Sequence, residues 1–200
     1  MKPINKIFEY LKESNLTMIG YKYQDERIKD ELISKLPHIE IFEFDSSFSV
    51  MSALKRTIRD KKIDSVLNKK IDSVLDGECF SNVDFIVVDL GNFSMSKSED
   101  AFGRSRHISE FIGQMRKEVL ETKYSLIILS PVNSTMESAL GNDIPSFSGG
   151  NRSIYMADMV YVIEGRKIKI VKNRFDGDNI TISLDNLKDY KYICSYENNN

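Results

Sequence analysis

The segment that most constrains the fold is a nearly continuous run of apolar and β-branched residues at Val83–Leu90. A half-exposed strand alternates apolar and polar residues, whereas a parallel strand covered on both faces is apolar almost throughout. The run contains Asp89 near its end and is followed by Gly91. The pattern therefore predicts a central parallel strand that ends in a carboxylate, at the edge where open α/β sheets bind their ligands.

Strand-like and helix-like segments alternate along the rest of the chain. Apolar residues at helical spacing predict helices at 4–11, 28–36, 48–75 and 104–122. Strands are expected at Leu16–Gly20, Ile39–Phe44, Phe85–Asp89 and Leu126–Leu129, with shorter strands at 158–164, 166–173, 179–184 and 190–195 and a turn at Gly165. This order predicts an α/β fold with a mainly parallel sheet, helices on both faces and a C-terminal antiparallel hairpin extension.

Length and composition are typical of one soluble domain. The chain has 200 residues, of which 41% are hydrophobic and 29% are charged, and such a chain can bury a sizeable core. We expect a single domain over 1–200. It would comprise an N-terminal helix in 1–15, a core in 16–184, and a last strand with a frayed tail in 185–200.

Several classes of partner and location are disfavoured. The net charge of −2 gives no overall attraction to nucleic acid. Cys79 and Cys194 are too few for a disulfide framework or a zinc site. No apolar run reaches the roughly 18 to 20 residues of a membrane span, and the N-terminus does not resemble a signal peptide. We therefore expect a cytoplasmic protein without membrane contact.

A tandem repeat lies in the middle of the chain, where KKIDSVLN at 61–68 is followed by KKIDSVLD at 69–76. Eight residues exceed two helical turns by about 80°, so the repeat does not form a heptad seam. Its apolar residues nevertheless fall on one half of a helix. Two interpretations stay open: a duplication that lengthens a surface helix, or a protruding helix that contacts a neighbouring subunit or partner.

A nucleotide-binding role for Asp89 depends on a phosphate-binding loop between the first strand and the next helix. In nucleotide hydrolases, an acid in this position holds Mg²⁺ beside phosphates that a glycine-rich loop wraps before a Lys-Ser/Thr pair. Here Gly20 is the only glycine of the region, and no Gly-Lys-Ser/Thr triplet occurs in the chain. Asp25 and Glu26 would repel phosphate at the helix start, and Lys22 could supply only a point charge. The competing interpretation is an acid that caps the turn that follows it.

The order and content of the segments resemble the RecA superfamily, especially phage RecA-type recombinases and DnaB-type replicative helicases. Asp89 resembles the Walker B acid of that family, and Asp45, after the second strand, resembles its catalytic acid. Further similar segments are the helix and strand of 106–129, the sensor position Ser130–Asn133, Ser148-Gly149-Gly150 with Ala157-Asp158, and Lys172-Asn173-Arg174. The resemblance spans 16–184 and is most specific over 83–176.

The resemblance implies an ATPase that binds ATP and Mg²⁺, with Lys22 and Asp89 at the nucleotide and Asp89 at the metal ion. It also implies a homo-oligomer, or association with a RecA-like partner ATPase, in which Lys172, Asn173 and Arg174 reach the nucleotide of a neighbouring subunit. The missing phosphate loop instead predicts that ATP and Mg²⁺ are not required and that the two candidate acids are vestigial. If a phage encodes the chain, the expected location is the host cytoplasm.

DNA is a further partner that the resemblance implies. The candidate contacts are Arg104, Arg106, Asn133 and Arg152, in or beside the loops at one edge of the sheet. The loops themselves, 91–103 and 131–150, carry one lysine against four acids. This is a poor electrostatic footprint for phosphate binding, so solvated loops without DNA contact are the competing interpretation.

Three functional hypotheses follow. The first is a non-hydrolysing RecA-like accessory or assembly subunit of DNA replication or recombination. The second is an active ATPase of the same superfamily, helicase-like or recombinase-like, with a diverged phosphate loop or one borrowed from a partner chain. The third is a ParA/MinD-like module, which the strand-turn-strand of 158–173 disfavours because that fold usually continues with helices.

Overall fold

The structure, a computed structural model, describes residues 3–36, 39–43, 49–59, 85–91, 101–120, 122, 124–133, 146–175, 181–185 and 187. Several predicted features lie outside these residues: Asp45, the tandem repeat at 61–76, the part of the helix expected beyond 59, and the strand expected at 190–195. Most of the two loops that follow the strands ending at Asp89 and Asn133 lies outside them as well.

The described residues form helices that alternate with strands. The helices are α1 (Pro3–Glu13), α2 (Glu26–Ile33), α3 (49–59), α4 (Ala101–Leu120) and α5 (Gly150–Met156), and a 3₁₀ turn at Tyr23–Asp25 leads into α2. The strands are β1 (Leu16–Tyr21), β2 (Ile39–Glu43), β3 (Phe85–Asp89), β4 (Ser125–Asn133), β5 (Ser146–Phe147), β6 (Met159–Glu164), β7 (Lys167–Asn173) and β8 (Thr181–Ser183). No helix in the described part of the chain combines the length and the apolar character needed to cross a membrane.

One mixed sheet organises the fold, with the strand order β2-β3-β4-β1-β6-β7-β8 and with β5 paired to β4. β2, β3, β4, β1 and β6 are parallel, whereas β7 and β8 are antiparallel additions beyond β6. Gly165 makes the turn between β6 and β7 with a φ of +57°, a left-handed conformation that glycine adopts without strain. The predicted mainly parallel sheet with an antiparallel hairpin extension is therefore confirmed.

Helices cover both faces of this sheet. α1 and α2 pack on one face, over strand residues that include Ile19 and Val87. α3, α4 and α5 pack on the other face, over residues that include Met18 and Val88. Because successive strand residues point to opposite faces, Val87 and Val88 sit in different cores, and both are fully buried. This arrangement explains why the sequence of β3 is a continuous apolar run.

The loop expected over 131–150 contains more regular structure than the sequence pattern indicates. β4 runs on to Asn133, β5 pairs with its end, and α5 starts at the end of the expected loop. Packing explains the difference, because Val132 and Phe147 are buried against Gly20 of β1. A Cβ atom on Gly20 would lie 2.7 Å from Val132 and 2.8 Å from Phe147. This packing by itself requires a glycine at position 20.

Candidate functional site

The carboxyl ends of the parallel strands meet at one edge of the sheet, the carboxyl edge. Asp89 closes β3 at this edge, Tyr21 closes β1, and the 3₁₀ turn carries the chain from β1 into α2. β4 lies between β1 and β3, and the side chains of Tyr21 and Asp89 meet across it. Asp89 thus lies at the edge where open α/β sheets bind ligands.

Donors of the protein itself occupy both oxygens of the Asp89 carboxylate. The Oδ1 atom accepts hydrogen bonds from the Tyr21 hydroxyl at 3.1 Å and from the Gly91 backbone N–H at 2.8 Å. The Oδ2 atom accepts a hydrogen bond from the Lys29 ammonium at 2.7 Å. A charge-assisted bond of this kind is roughly twice as strong as one between neutral groups. The carboxylate is therefore already paired with a full positive charge.

Lys29 is a buried cation, and only 5% of its side chain is exposed. Its ammonium lies 3.1 Å from the Asp30 carboxylate, 3.9 Å from that of Glu26, and 4.7 Å from the centre of the Tyr21 ring. Burial lowers the pKa of Lys29, but hydrogen bonds and charges from Asp89 and Asp30 outweigh it and leave the pKa above its ordinary value. Lys29 is therefore a protonated group held by three carboxylates and one aromatic face.

Tyr21 contributes a neutral donor to the same cluster. Burial raises the pKa of its hydroxyl, and the charge of Asp89 and the hydrogen bond to it raise the pKa further. The adjoining Gly91 leaves room for this hydroxyl, because a Cβ atom there would lie 2.6 Å from it. Only glycine lets the hydroxyl, the carboxylate and the backbone N–H of residue 91 converge.

A cavity of about 460 Å³ opens beside the Lys29–Asp89 pair, between α2 and β2, and we call it the α2–β2 groove. Three acids and one lysine line it, so its charged side chains sum to −2. Its charged and apolar lining residues are Glu26, Lys29, Asp30, Asp89, Ile33, Ile39, Ile41 and Leu129. The groove therefore offers an apolar surface beside an excess of negative charge.

The turn after β1 lacks the form of a phosphate cradle. It is a 3₁₀ turn without glycine, and α2 opens with Glu26. Lys22 lies 4.0 Å from Glu164. Within the described ranges, no group of three or more His, Cys, Asp or Glu residues is arranged to hold a metal ion. These residues do not fit Mg²⁺–ATP for two reasons. Glu26 lies at the start of α2, where backbone N–H groups would bind a phosphate. The Lys29 ammonium already binds the Asp89 carboxylate, which would have to bind the metal ion or its water shell.

The amino ends of the parallel strands form the opposite edge, the amino edge, and the basic residues after β7 lie there. β7 runs antiparallel to β6, so Asn173 pairs with Met159 at the start of β6. Lys172 donates to three carbonyl oxygens at the end of α5, at 2.6 to 3.0 Å. Arg174 donates to the Asp158 carboxylate at 2.8 Å. These side chains therefore contact their own chain, at the edge opposite to Asp89.

The buried carboxylate of Asp158 contacts several elements of the amino edge. Its Oδ2 atom accepts hydrogen bonds from the backbone N–H groups of Asn15 at 3.0 Å and Leu16 at 3.3 Å. Its Oδ1 atom faces Arg174 and, at 3.7 Å, Arg116. Only 4% of this side chain is exposed. Asp158 thus joins the start of β1 to the end of β7 and to α4.

The candidate DNA contacts lie on α4, β4 and α5. Arg106 pairs with Glu110 along α4 at 2.9 Å, and both side chains are exposed. The hydrogen bond from Arg106 lowers the pKa of Glu110, and the charge of Arg152 lowers it further, so the two arginines face the same acid. Arg104 lies in α4 and Asn133 ends β4, but their side chains are outside the described part of the structure. DNA contact by all four residues stays a prediction.

The sequence pattern indicates Asp89 but not its two side-chain partners, Lys29 and Tyr21. Lys29 carried a signal, because it precedes Leu32 and Ile33 by three and four residues and therefore shares their buried face of α2. A lysine on a buried face needs a carboxylate partner. Tyr21 extends the apolar run of β1 by one residue, and its hydroxyl partner could not be identified without the strand order.

Comparison with known proteins finds similarity in structure only. No family model matches the chain, and no curated protein matches it either. Solved structures do match, and among them is one described as a DnaB-like replicative helicase and its interactions with primase. That structure is similar over 84% of this chain, with 12% sequence identity and a TM-score of 0.47. The chain corresponds to 56% of the length of that helicase chain.

Proposed function

We propose that this chain is a RecA-like protein of DNA replication or recombination that acts as a non-hydrolysing accessory or assembly subunit. The motif order over 83–176 supports the RecA-like assignment. The parallel sheet followed by the antiparallel strands β7 and β8 also favours it over a ParA/MinD-like module. The contacts of the carboxyl edge support the absence of hydrolysis.

The observation that carries this proposal is the 2.7 Å contact between the Lys29 ammonium and the Asp89 carboxylate. An acid that serves Mg²⁺ must offer an oxygen to the ion or to its water shell. To do so, Asp89 would have to lose a buried cation that Asp30 and the Tyr21 ring also hold. Because 19% of the Asp89 side chain is exposed, water can replace part of the lost interaction, and we expect this separation to cost about 1 to 2 kcal/mol. Lys29 thus acts as a tethered cation in place of a metal ion.

Calorimetric titration with ATP and Mg²⁺ tests the absence of a nucleotide site, on which the non-hydrolysing role rests. We expect no saturable binding up to millimolar ATP, because α2 opens with Glu26 and the turn before it has no glycine loop to wrap a phosphate. Asp185→Ala serves as the control, since it removes an exposed acid that pairs with Arg166 far from the groove. Micromolar affinity that Asp89→Ala abolishes and Asp185→Ala preserves would instead favour an ATPase with a diverged phosphate loop, and phosphate release from ATP would then test hydrolysis.

Assembly is the second half of the proposal. Arg174 remains 68% exposed although Asp158 holds one of its nitrogens, so its guanidinium is available to a second protein chain. The expected partner is another copy of this chain or an intact RecA-like ATPase. A pull-down with a replication or recombination ATPase should lose the captured species on Arg174→Ala. Capture that is unchanged in this variant would remove Arg174 from the contact.

A further inference from the structure

The two edges of the sheet carry surfaces that complement each other. We propose that the α2–β2 groove of one copy receives the tip formed by Arg174 and Phe175 of a second copy. This inference rests on the assembly role proposed above, and it specifies the two surfaces that meet. In this contact, Arg174 binds carboxylates of the other copy and not a nucleotide.

The groove exists because α2 is short. With eight residues, α2 leaves part of the face of the edge strand β2 open. Ile41 pairs in register with Val87 and lies on the same face, yet Ile41 is 51% exposed whereas Val87 is fully buried. Glu26 and Asp30 stand beside this open surface with 53% and 66% of their side chains exposed. An apolar surface next to three carboxylates that share one lysine suits an occupant that is both apolar and cationic.

The tip after β7 has this combination of properties. Arg174 is 68% exposed, and Phe175 is 43% exposed. Contacts hold both residues in place: Asp158 binds the guanidinium, the Phe175 ring stacks on Tyr10 with ring centres 6.0 Å apart, and the Phe175 N–H donates to Asn173 at 2.9 Å. A rigid arginine beside a rigid aromatic ring loses little conformational entropy on binding, and such residues are enriched among binding hot spots.

Charge and position together favour a second copy as the occupant. The guanidinium can pair with the carboxylates of Glu26 and Asp30, while the phenyl ring covers Ile41. The groove lies at the carboxyl edge and the tip at the amino edge, so each copy presents one of each. Such a contact is heterologous, and repeating it produces a ring or a filament.

Charge reversal tests this contact by sedimentation velocity. The double substitution Glu26→Lys/Asp30→Asn changes the charge of the groove lining from −2 to +1, and Arg174→Glu reverses the tip. We expect the wild type to associate with rising concentration, and each variant alone to associate at least roughly tenfold more weakly. An equimolar mixture should regain association, because the reversed groove pairs with the reversed tip and the unchanged groove with the unchanged tip.

A matched control is Arg166→Glu, which reverses an exposed arginine that also pairs with an aspartate, Asp185, but at the other end of β7. It should associate like the wild type. Thermal melting shows whether each charged variant is folded. If one is not, Ile41→Gln and Phe175→Ala test the apolar half of the contact and should each weaken association.

Three results would overturn the contact: a wild type that stays monomeric at several hundred micromolar, folded variants that associate normally, or a mixture that stays dissociated. These results are separable from the calorimetric test. ATP binding would contradict the predicted absence of a nucleotide site and leave this contact intact, whereas a monomeric wild type would refute the contact alone.

Discussion

The two edges of the sheet each hold an aspartate against a basic side chain, but they do so with opposite exposure. At the amino edge the acid is hidden, because Asp158 is 4% exposed while its partner Arg174 is 68% exposed. At the carboxyl edge the cation is hidden, because Lys29 is 5% exposed while Asp30 is 66% exposed. One edge therefore displays positive charge to solvent, and the other displays negative charge.

This difference bears directly on function. In a parallel α/β sheet, anionic ligands bind at the carboxyl edge, where helices begin and backbone N–H groups are free. Here that edge presents Glu26 and Asp30 to solvent, and its buried cation is already paired with Asp89. The exposed guanidinium of Arg174, which pairs with Asp158, lies at the opposite end of the strands from this ligand-binding edge. This charge pattern is the reason why we propose contacts between chains instead of binding of a phosphate within one chain.

Both edges depend on the core strand between them, and the largest expected effect comes from breaking that strand. Val87 is fully buried in β3, so Val87→Asp places an unpaired charge in the core. The cost is several kcal/mol out of the roughly 5 to 15 kcal/mol that stabilise a domain of this size. We expect loss of the cooperative thermal transition in circular dichroism. A soluble variant with an unchanged melting temperature would contradict the burial of β3.

The amino edge should be the more sensitive of the two aspartate sites. Asp158→Ala leaves the N–H groups of Asn15 and Leu16 without their acceptor and removes the partner of Arg174. We expect a loss of about 3 kcal/mol in the free energy of unfolding, measured by urea denaturation. The control Asp185→Ala breaks an exposed pair with Arg166 and should cost less than about 0.5 kcal/mol. Equal effects of the two substitutions would show that Asp158 is not a structural clamp.

Breaking the carboxyl edge should cost less. Lys29→Met keeps the length of the side chain but removes the ammonium from Asp89. The carboxylate retains hydrogen bonds from Tyr21 and Gly91, and 19% of it is already exposed, so water from the groove can replace part of the lost interaction. We expect about 1 to 2 kcal/mol of destabilisation in urea. The control is Lys22→Met, which should leave the free energy of unfolding nearly unchanged because Lys22 lies 4.0 Å from the exposed Glu164. A larger loss of stability in Lys22→Met than in Lys29→Met would contradict this prediction.

The sequence predicts the fold far better than it predicts the site. Strand β3 falls at the predicted residues because a continuous apolar run has few structural solutions. The parallel order and the β6–β7 hairpin follow from alternation and from Gly165. The helix α5 was not predicted, because its seven residues carry little periodicity and tertiary contacts decide their structure.

The site depends on which strands become neighbours, and local patterns do not contain this information. Tyr21 and Asp89 are separated by 68 positions, and they meet only because β4 inserts between β1 and β3. The resemblance indicates Lys22, the lysine that directly follows β1, whereas the lysine that contacts Asp89 is Lys29, seven residues later on the buried face of α2. Arg174 was expected to reach a neighbour, and its additional contact with Asp158 required the antiparallel register of β7.

The smallest expected effect is a pH dependence of the free energy of unfolding. Its sign differs between Lys29 at the carboxyl edge and Lys172 at the amino edge. The pKa of Lys29 is raised above its ordinary value of 10.5, so its stabilising contribution is complete below that value and is lost as the pH rises through the folded-state pKa. The pKa of Lys172 is lowered, chiefly by burial. Its protonated form is therefore disfavoured by folding, and this penalty disappears as the pH rises toward 10.5.

Urea denaturation between about pH 8 and pH 11 measures both contributions. The stability of the wild type should fall over this range, in part because the raised pKa of Tyr21 acts with the same sign as that of Lys29. Without the Lys29 contribution, the Lys29→Met curve should fall less steeply than that of the wild type. Without the Lys172 contribution, which rises with pH, the Lys172→Met curve should fall more steeply. Curves of equal slope for the two variants would mean that folding shifts the pKa of both lysines in the same way. The contrast between the two edges would then have no measurable effect on stability.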